Sequence, residues 1–260
     1  MVLQPLSSIP GPLPESLRSL AKTCRVYDSS CGDQARVYYL EADGGLFLKT
    51  AEPGTLRAEA EMTRYFHSRH LAPEVLLYES RERDYLLTRK LPGRDCIHPN
   101  HLAQPDKLCN TLGQALRLLH SVSAADCPVK LTGQLLQRAD SLPTDSCFRP
   151  DLSIPGCYFA SAGEARQVLT EMGPFLRSDT LIHGDFCLPN VIVQDWKLSG
   201  LIDVGGGGLG DRHLDLFWGI WSLQFNLKTP AYTDRFLDAY GRDGFEPELL
   251  RAAAALEAFG

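Results

Sequence analysis

The stretch His183-Gly184-Asp185-Phe186-Cys187-Leu188-Pro189-Asn190, followed by Leu201-Ile202-Asp203-Val204-Gly205, constrains this chain more than any other. An Asn follows Asp185 by five residues, and a second Asp follows that Asn by thirteen. Val191-Ile192-Val193 and Gly200-Leu201-Ile202 read as two apolar strands, with Gln194-Asp195-Trp196-Lys197 as a polar hairpin connection between them. Such a hairpin is expected to bring Asn190 and Asp203 to neighbouring strand ends, where both reach one cation. A carboxylate that receives a hydroxyl proton and two oxygen ligands for Mg²⁺ are the kit of phosphoryl transfer.

The rest of the chain has room for such a site. Its 260 residues are enough for one large domain or two lobes. The net charge of −6 disfavours a nucleic-acid partner and mildly favours a cationic ligand. Eight cysteines without a C-x-x-C pair argue against zinc and against a disulfide framework. The segment from Met1 to Pro14 lacks a basic and apolar leader pattern, and no apolar run approaches the roughly eighteen residues of a membrane span. A cytoplasmic protein with no membrane partner is the expectation.

Along the chain, a Pro-rich lead-in precedes strands at Arg25-Val26-Tyr27, Ala35 to Leu40 and Leu46 to Thr50, the last two joined by a turn over Glu41 to Gly45. A helix is expected from about Leu56 to Ser68, then strands at Pro73 to Tyr78 and Tyr85 to Thr88. Beyond Leu91-Pro92-Gly93 the pattern turns helical: His101 to Ser121, Leu131 to Ala139, Gly163 to Leu176, Leu214 to Asn226, Tyr232 to Tyr240 and Pro247 to Phe259. The order predicts an α+β protein of two lobes. Residues 1–90 form a β-rich lobe with one main helix, residues 91–260 a larger helical lobe, and a cleft lies near residues 88–93.

Asp185 is the candidate base; an Asp after Gly reads alone as a turn residue, and Asn190 and Asp203 at their offsets change that reading. Asn190 and Asp203 are the expected Mg²⁺ ligands. His183 reads as structural, bonding to backbone around Asp185. Lys49 shares a strand face with Phe47, so one face offers an ammonium for phosphates and a flat ring for a nucleobase. Of two candidate acidic partners, Glu59 lies on the inward stripe of Leu56, Met62 and Phe66, and Glu61 lies beside Arg57 and Tyr65; Glu59 is the expected partner. Ser30-Cys31-Gly32-Asp33 is a turn whose backbone N–H groups, at Gly32 above all, can drape over phosphates. Gly205 to Gly208 lacks a following Lys-Ser/Thr, which excludes a P-loop, and reads as a pliable loop. Asp211 and Asp215 are expected to cap a helix or brace the catalytic loop.

Together these residues resemble the aminoglycoside 3′-phosphotransferases, within the protein-kinase-like fold. The likeness rests on His-Gly-Asp-x-Cys-Leu-Pro-Asn at 183–190, Lys-Leu-Ser-Gly-Leu-Ile-Asp-x-Gly at 197–205 and Gly-Asp-Arg-His-x-Asp at 210–215. It extends to Leu46 to Thr50, to Leu86-Leu87 with Leu91-Pro92-Gly93, to 119–128 and to Leu-Glu-x-Phe at 256–259. The resemblance implies ATP or GTP with Mg²⁺ as donor, and a hydroxyl of an aminoglycoside antibiotic as acceptor, giving resistance. It also implies that the backbone at Arg89 and Leu91 pairs with the base edge, that Phe47 stacks on the base and Lys49 bridges the phosphates, and that Glu257 joins Asp185 in meeting the acceptor.

The chain departs from that family on the acceptor side. Gly206 stands where a basic residue is usual, and Trp218, Trp221, Gln224, Phe225 and Asn226 stand where carboxylates are usual. The region 140–164 holds only Asp140, Asp145, Asp151 and Glu164. Leu256 replaces one of the terminal acidic pair, and Gly260 extends past Phe259. An aminoglycoside carries several ammonium groups, each wanting an acceptor. Two alternatives therefore stay open: a kinase of the same fold acting on another hydroxylated metabolite, such as a sugar or amino alcohol, and a nucleotide-binding protein without turnover.

Overall fold

A computed structural model of the protein describes residues 3–32, 35–141 and 148–259, with side chains throughout except at 138–140. The chain divides into two compact units. The first comprises Met1–Pro92 and Gly200–Gly205, the second Gly93–Ser199 and Gly206–Gly260.

The first unit is built on a sheet ordered β1-β2-β3-β4-β6-β5. In chain order its elements are β1 (Gln4–Leu6), α1 (Glu15–Thr23), β2 (Val26–Asp28), β3 (Arg36–Leu40), β4 (Leu46–Ala51), α2 (Arg57–His67), β5 (Val75–Ser80) and β6 (Asp84–Arg89). Each neighbouring pair is antiparallel. Strand alternation sorts the side chains between the two faces. Leu46 and Leu48 of β4 and Tyr85 and Leu87 of β6 join a core with Leu17, Val26, Tyr38 and Leu40. On the opposite face Ala51 and Leu86 pack with Leu56 and Ala60 at the start of α2.

Helix α1 stands in this lobe beside the one main helix expected, and the sequence reading did not include it. Its sequence hides it, because Pro14 stands at the N-cap with no side-chain cap and serines interrupt the apolar stripe. Leu17, Leu20, Ala21 and Cys24 nevertheless recur at helical spacing and all pack on the sheet.

In the second unit the elements are β7 (Arg94–Asp95), α3 (Pro99–Leu102), α4 (Pro105–Ser121), α5 (Thr132–Ser141), α6 (Ala162–Met172), β8 (Thr180–Ile182), β9 (Val191–Gln194), β10 (Lys197–Leu201), β11 (Gly208–Gly210), α7 (Arg212–Leu227), α8 (Thr233–Tyr240) and α9 (Pro247–Glu257). The end of β10 runs into the first unit. The helix expected over His101 to Ser121 is broken at Gln104, because Pro105 fits only the first turn of a new helix. Pro174 likewise closes the helix expected to reach Leu176; α6 stops at Met172 and a single 3₁₀ turn follows. The core of this unit gathers Ala165, Leu169, Ile182, Leu214, Ala252, Ala255, Leu256 and Phe259.

The glycine run after Asp203 is not the pliable loop expected. Val204–Gly206 forms a 3₁₀ turn, and β11 pairs with β8, Gly208 opposite Ile182 and Gly210 opposite Thr180. At Gly208 an added Cβ would lie 3.0 Å from the Val129 carbonyl oxygen and from the Val129 and Leu131 side chains, so contact favours glycine at that position. Helices α4 and α8 also meet at a glycine, where a Cβ on Gly113 would lie 2.6 Å from the Phe236 carbonyl oxygen and 2.8 Å from the Tyr240 nitrogen. Helix propensity alone favours Ala over Gly by about 1 kcal/mol, but overpacking costs roughly 1–3 kcal/mol, and helix backbone cannot swing aside. Gly113→Ala is therefore expected to lower stability in urea unfolding; a gain would show that the helices do not cross this closely.

Candidate active site

The first unit places Lys49 between two acids. Strand β4 turns Phe47 and Lys49 to one face, and α2 presents Glu59 from its first turn. The Lys49 ammonium donates to both Glu59 oxygens, at 2.9 and 2.7 Å, and to Asp203 Oδ1 at 2.9 Å. Glu61 instead pairs with Arg57 at 3.0 Å. Burial opposes the charge on Lys49, but the carboxylates of Asp203 and Glu59 outweigh it and hold the amine above its ordinary value. Burial pushes Glu59 above the ordinary carboxyl value; Lys49 opposes that shift and the nearby negative Asp203 reinforces it. One ammonium thus serves two carboxylates, and the Asp203 side chain is 51% exposed. Its backbone sits at φ +57°, a left-handed conformation that a non-glycine residue adopts at a cost.

Two backbone attachments carry these groups. Leu201 N–H donates to the Leu71 carbonyl at 2.7 Å, which docks the end of β10 just after α2 and leads to Asp203. The Asp84 carboxylate accepts the N–H groups of Gly54 at 2.9 Å and Leu56 at 2.8 Å, fixing the start of α2 and with it Glu59. Burial alone would raise the Asp84 carboxyl, but hydrogen bonds from Ser80, the Gly54 and Leu56 backbone and Tyr78 hold it below the ordinary value. A depressed carboxyl stabilises the fold above the ordinary carboxylate range and loses that contribution as pH falls through its lowered value. The stability gap between wild type and Asp84→Asn is therefore expected to be wide at pH 7 and to narrow toward pH 3 in urea titrations.

Phe47 lies 5.3 Å from Tyr39, ring to ring, and Tyr39 lies 5.9 Å from Tyr27, so aromatic rings run across neighbouring strands on this face. At the exit of β6, Arg89 N–H donates to the Glu74 carbonyl and Lys90 N–H to that of Gly45. The Leu91 N–H has no hydrogen-bond partner among the described residues. Gly32 is exposed, with open space where a Cβ would stand; Asp33 of the same turn lies outside the described residues.

In the second unit Asp185 is exposed on the loop after β8. Its Oδ2 accepts from Asn190 Nδ2 at 3.0 Å, and the same amide nitrogen reaches the Asp185 carbonyl at 3.0 Å. The oxygen of the Asn190 amide therefore faces away from that carboxylate. Asp185 N–H donates to His183 Nδ1 at 3.2 Å, a structural use of that imidazole. Beneath the loop lies Asp215, fully buried, whose oxygens accept the N–H groups of His183 at 2.7 Å and Gly184 at 2.8 Å. His120 Nε2 donates to Asp215 at 3.2 Å while its Nδ1 accepts from the Tyr240 hydroxyl at 2.9 Å. Burial, which outweighs Asp215, holds His120 below its ordinary value and so neutral. Asp211 caps α7 by accepting His213 N–H at 2.9 Å and takes Arg177 N–H at 2.7 Å. Gly184 has φ +82°, and a Cβ there would meet the Gly206 carbonyl oxygen at 2.1 Å, so neither its conformation nor its space admits a side chain.

The hairpin from Asn190 toward Asp203 turns on Asp195 and Trp196, both at positive φ, which suits the twist of a two-residue connection. Trp196 is held there by Lys107, whose ammonium lies 4.6 Å from its ring, and by the His101 ring at 5.0 Å. Glu257 is half-buried at the last residue of α9. Glu164 is committed to structure, pairing with Arg251 at 2.7 Å and accepting Ala160 N–H at 2.9 Å. Asp151 pairs with Arg149 at 2.9 Å. Asp145 and Gly260 lie outside the described residues, as does the side chain of Asp140.

Residues that sequence reasoning missed are Asp84, His120, Tyr240 and Ser222. The Ser222 hydroxyl accepts Leu188 N–H at 2.9 Å, and the Cys187 thiol lies within hydrogen-bonding reach of both Asp185 and Ser222. None of the four sits in a pattern separable from core or turn by spacing alone. Burial, then the Asp185 charge, pushes the Cys187 thiol far up. Iodoacetamide at pH 8 is therefore expected to spare Cys187 and to label the exposed Cys31, read by peptide mass spectrometry.

A lysine shared by two acids and a carboxylate set on a buried Asp define a phosphotransferase of protein-kinase-like fold, and comparison with known proteins agrees. The model of the phosphotransferase enzyme family, APH, matches residues 32–255, and the chain belongs to that family. It is 38% identical to a "Probable aminoglycoside 3′-phosphotransferase" of Lactococcus lactis subsp. lactis, over 95% of both chains. It is 30% identical to an aminoglycoside 3′-phosphotransferase of Niallia circulans, over 86% of this chain and 87% of that one. A crystal structure of an aminoglycoside-3′-phosphotransferase of type VIII superposes with a TM-score of 0.72 at 25% identity, covering 94% of this chain and 97% of the other. An aminoglycoside phosphotransferase of Streptomyces rimosus, solved with ADP and streptomycin, shares the fold with a TM-score of 0.68 at 20% identity, over 86% and 90% of the two chains. Among the described residues no helix is long and apolar enough to cross a membrane.

Proposed function

We propose that the protein transfers the γ-phosphate of ATP or GTP to a hydroxyl of an aminoglycoside, of the 3′-OH type, and so confers resistance. The observation that carries this reading is the paired use of Lys49 by Glu59 and Asp203 in the first unit; the second unit adds an exposed Asp185 oriented by Asn190. The names of the relatives support the acceptor class, and ADP in the related Streptomyces rimosus structure supports nucleotide use.

Each residue has a defined task on this reading. Lys49, held charged and positioned by Glu59, binds phosphate oxygens. Phe47 offers its ring to the base, and the backbone at Arg89 and Leu91, whose N–H donates to no backbone carbonyl among the described residues, meets the base edge. The turn at Gly32 covers the phosphates. Asp185 receives or orients the proton of the acceptor hydroxyl, and Glu257 contacts the acceptor. Asp203 and Asn190 offer a half-exposed carboxylate and an amide oxygen turned from its neighbour, hard donors that fit Mg²⁺. When bound, Mg²⁺ supplies charge neutralisation for the phosphates. The lobes are assigned as residues 1–90 for the nucleotide and 91–260 for the catalytic loop and acceptor, in a cytoplasmic enzyme without nucleic-acid or membrane partners.

Coupled ADP release with kanamycin tests the assignment. Asp185→Ala is expected to lower kcat by roughly 10²–10⁴ while the nucleotide still binds. Near-full turnover in that variant would refute Asp185 as the base. Saturable turnover on a neutral sugar or amino alcohol, and none on aminoglycosides, would shift the acceptor to another hydroxylated metabolite.

A further inference from the structure

Cys187 is stitched by its backbone to both Asp185 and Asn190. Its N–H donates to the Asp185 carbonyl at 2.8 Å, and its carbonyl accepts the Asn190 N–H at 2.9 Å. It stands in extended conformation, φ −94° and ψ 154°, at the entry to the 3₁₀ turn Leu188–Asn190. The residue is half-buried, and its thiol lies within hydrogen-bonding reach of the Asp185 carboxylate and of the Ser222 hydroxyl. The proposed function gives this thiol no task.

The direction of the hydrogen bonds follows from the donors around Ser222, a buried residue of α7. A hydroxyl has one proton and two lone pairs. The Ser222 oxygen accepts Leu188 N–H at 2.9 Å and is approached by Asn226 Nδ2 at 3.4 Å, whose shorter bond goes to the Ser222 carbonyl at 2.7 Å. Its acceptor side is thus taken, and its proton is left for the Cys187 sulfur. A protonated thiol accepts weakly and donates once, so the S–H is aimed at the Asp185 carboxylate. Burial favours the protonated thiol here. Asn190 does not hold that carboxylate by itself, because its one amide nitrogen is shared between Asp185 Oδ2 and the Asp185 carbonyl, each at 3.0 Å.

We infer that Cys187 is a positioning residue for the transfer, its S–H holding the Asp185 carboxylate in the orientation that meets the acceptor hydroxyl, with Ser222 aiming the thiol from behind. The inference rests on the proposed role of Asp185 and adds how that exposed side chain is kept in one rotamer. A carboxylate with a single side-chain donor still turns about its own bonds, and a second donor removes that freedom. A turned base costs rate and leaves substrate binding intact. A thiol suits the task because S–H is a weak donor, which steers the carboxylate without competing strongly with the acceptor's own proton.

The test compares two substitutions that packing and hydrogen bonding rank in opposite order. Cys187→Val keeps apolar bulk and has no donor; Cys187→Ser is smaller and more polar and keeps one. In coupled ADP release with kanamycin, Cys187→Val is expected to lower kcat about tenfold at unchanged KM for nucleotide and kanamycin, the scale of one hydrogen bond to a charged group. Cys187→Ser is expected to stay near wild type. Wild-type kcat in Cys187→Val, or a loss in Cys187→Ser as large or larger, would overturn the inference. A second measurement needs no turnover. The infrared S–H stretch of Cys187, isolated by subtracting the Cys187→Ser spectrum, is expected below that of a free thiol and is expected to rise in Asp185→Ala. A band that Asp185→Ala leaves in place would overturn the inference even with kanamycin turnover intact. A band that rises in a protein that phosphorylates no aminoglycoside would support the thiol contact and sink the acceptor assignment instead.

Discussion

Asp215 holds the loop of Asp185 in place. A fully buried carboxylate is costly unless donors surround it, and here two consecutive backbone N–H groups and an imidazole do so. Two successive amides can aim at one carboxylate only if the chain between them bends sharply, which is why Gly184 takes a positive φ and lies against the Gly206 carbonyl. That bend delivers Asp185 outward and leaves Asn190 to steady it. The buried acid is thus met by backbone and imidazole donors, while the acid beyond the bend faces solvent.

The first unit solves a different electrostatic problem. Lys49 is mostly buried yet stays charged, because Glu59 and Asp203 both lean on it. Two carboxylates on one amine is an unbalanced arrangement, and the imbalance shows in the raised Glu59. A divalent cation at Asp203 and phosphate oxygens at Lys49 would each relieve it. Unmatched charge of this sort is a functional signature more than a stabilising device, since well-packed apolar residues would serve stability as well.

Much of this was legible beforehand. The strand face shared by Phe47 and Lys49, the inward stripe of α2 and the Asp195–Trp196 turn follow from periodicity and turn chemistry, which are local. Helix α1 escaped because its cap is a proline and its polar residues outnumber its apolar ones. The single helix expected to span α3 and α4 failed at a proline that a periodic count passes over. The glycines after Asp203 looked like freedom and proved to be contact, a difference that only tertiary packing reveals. His120, Tyr240, Ser222 and Asp84 act across 28 to 120 residues of sequence, beyond any spacing rule.

The chain passes between its two units at residues 92–93, 199–200 and 205–206. Residues 200–205, synthesised long after the rest of the first unit, bring Asp203 to Lys49. During synthesis the amino-terminal unit therefore emerges with its lysine facing Glu59 alone, and more than a hundred further residues follow before its last segment arrives. A gene fragment ending at residue 92 encodes all six strands of the sheet but not the 200–205 segment of its unit, and recombination between relatives at that junction would exchange Lys49 without the aspartate it is paired with.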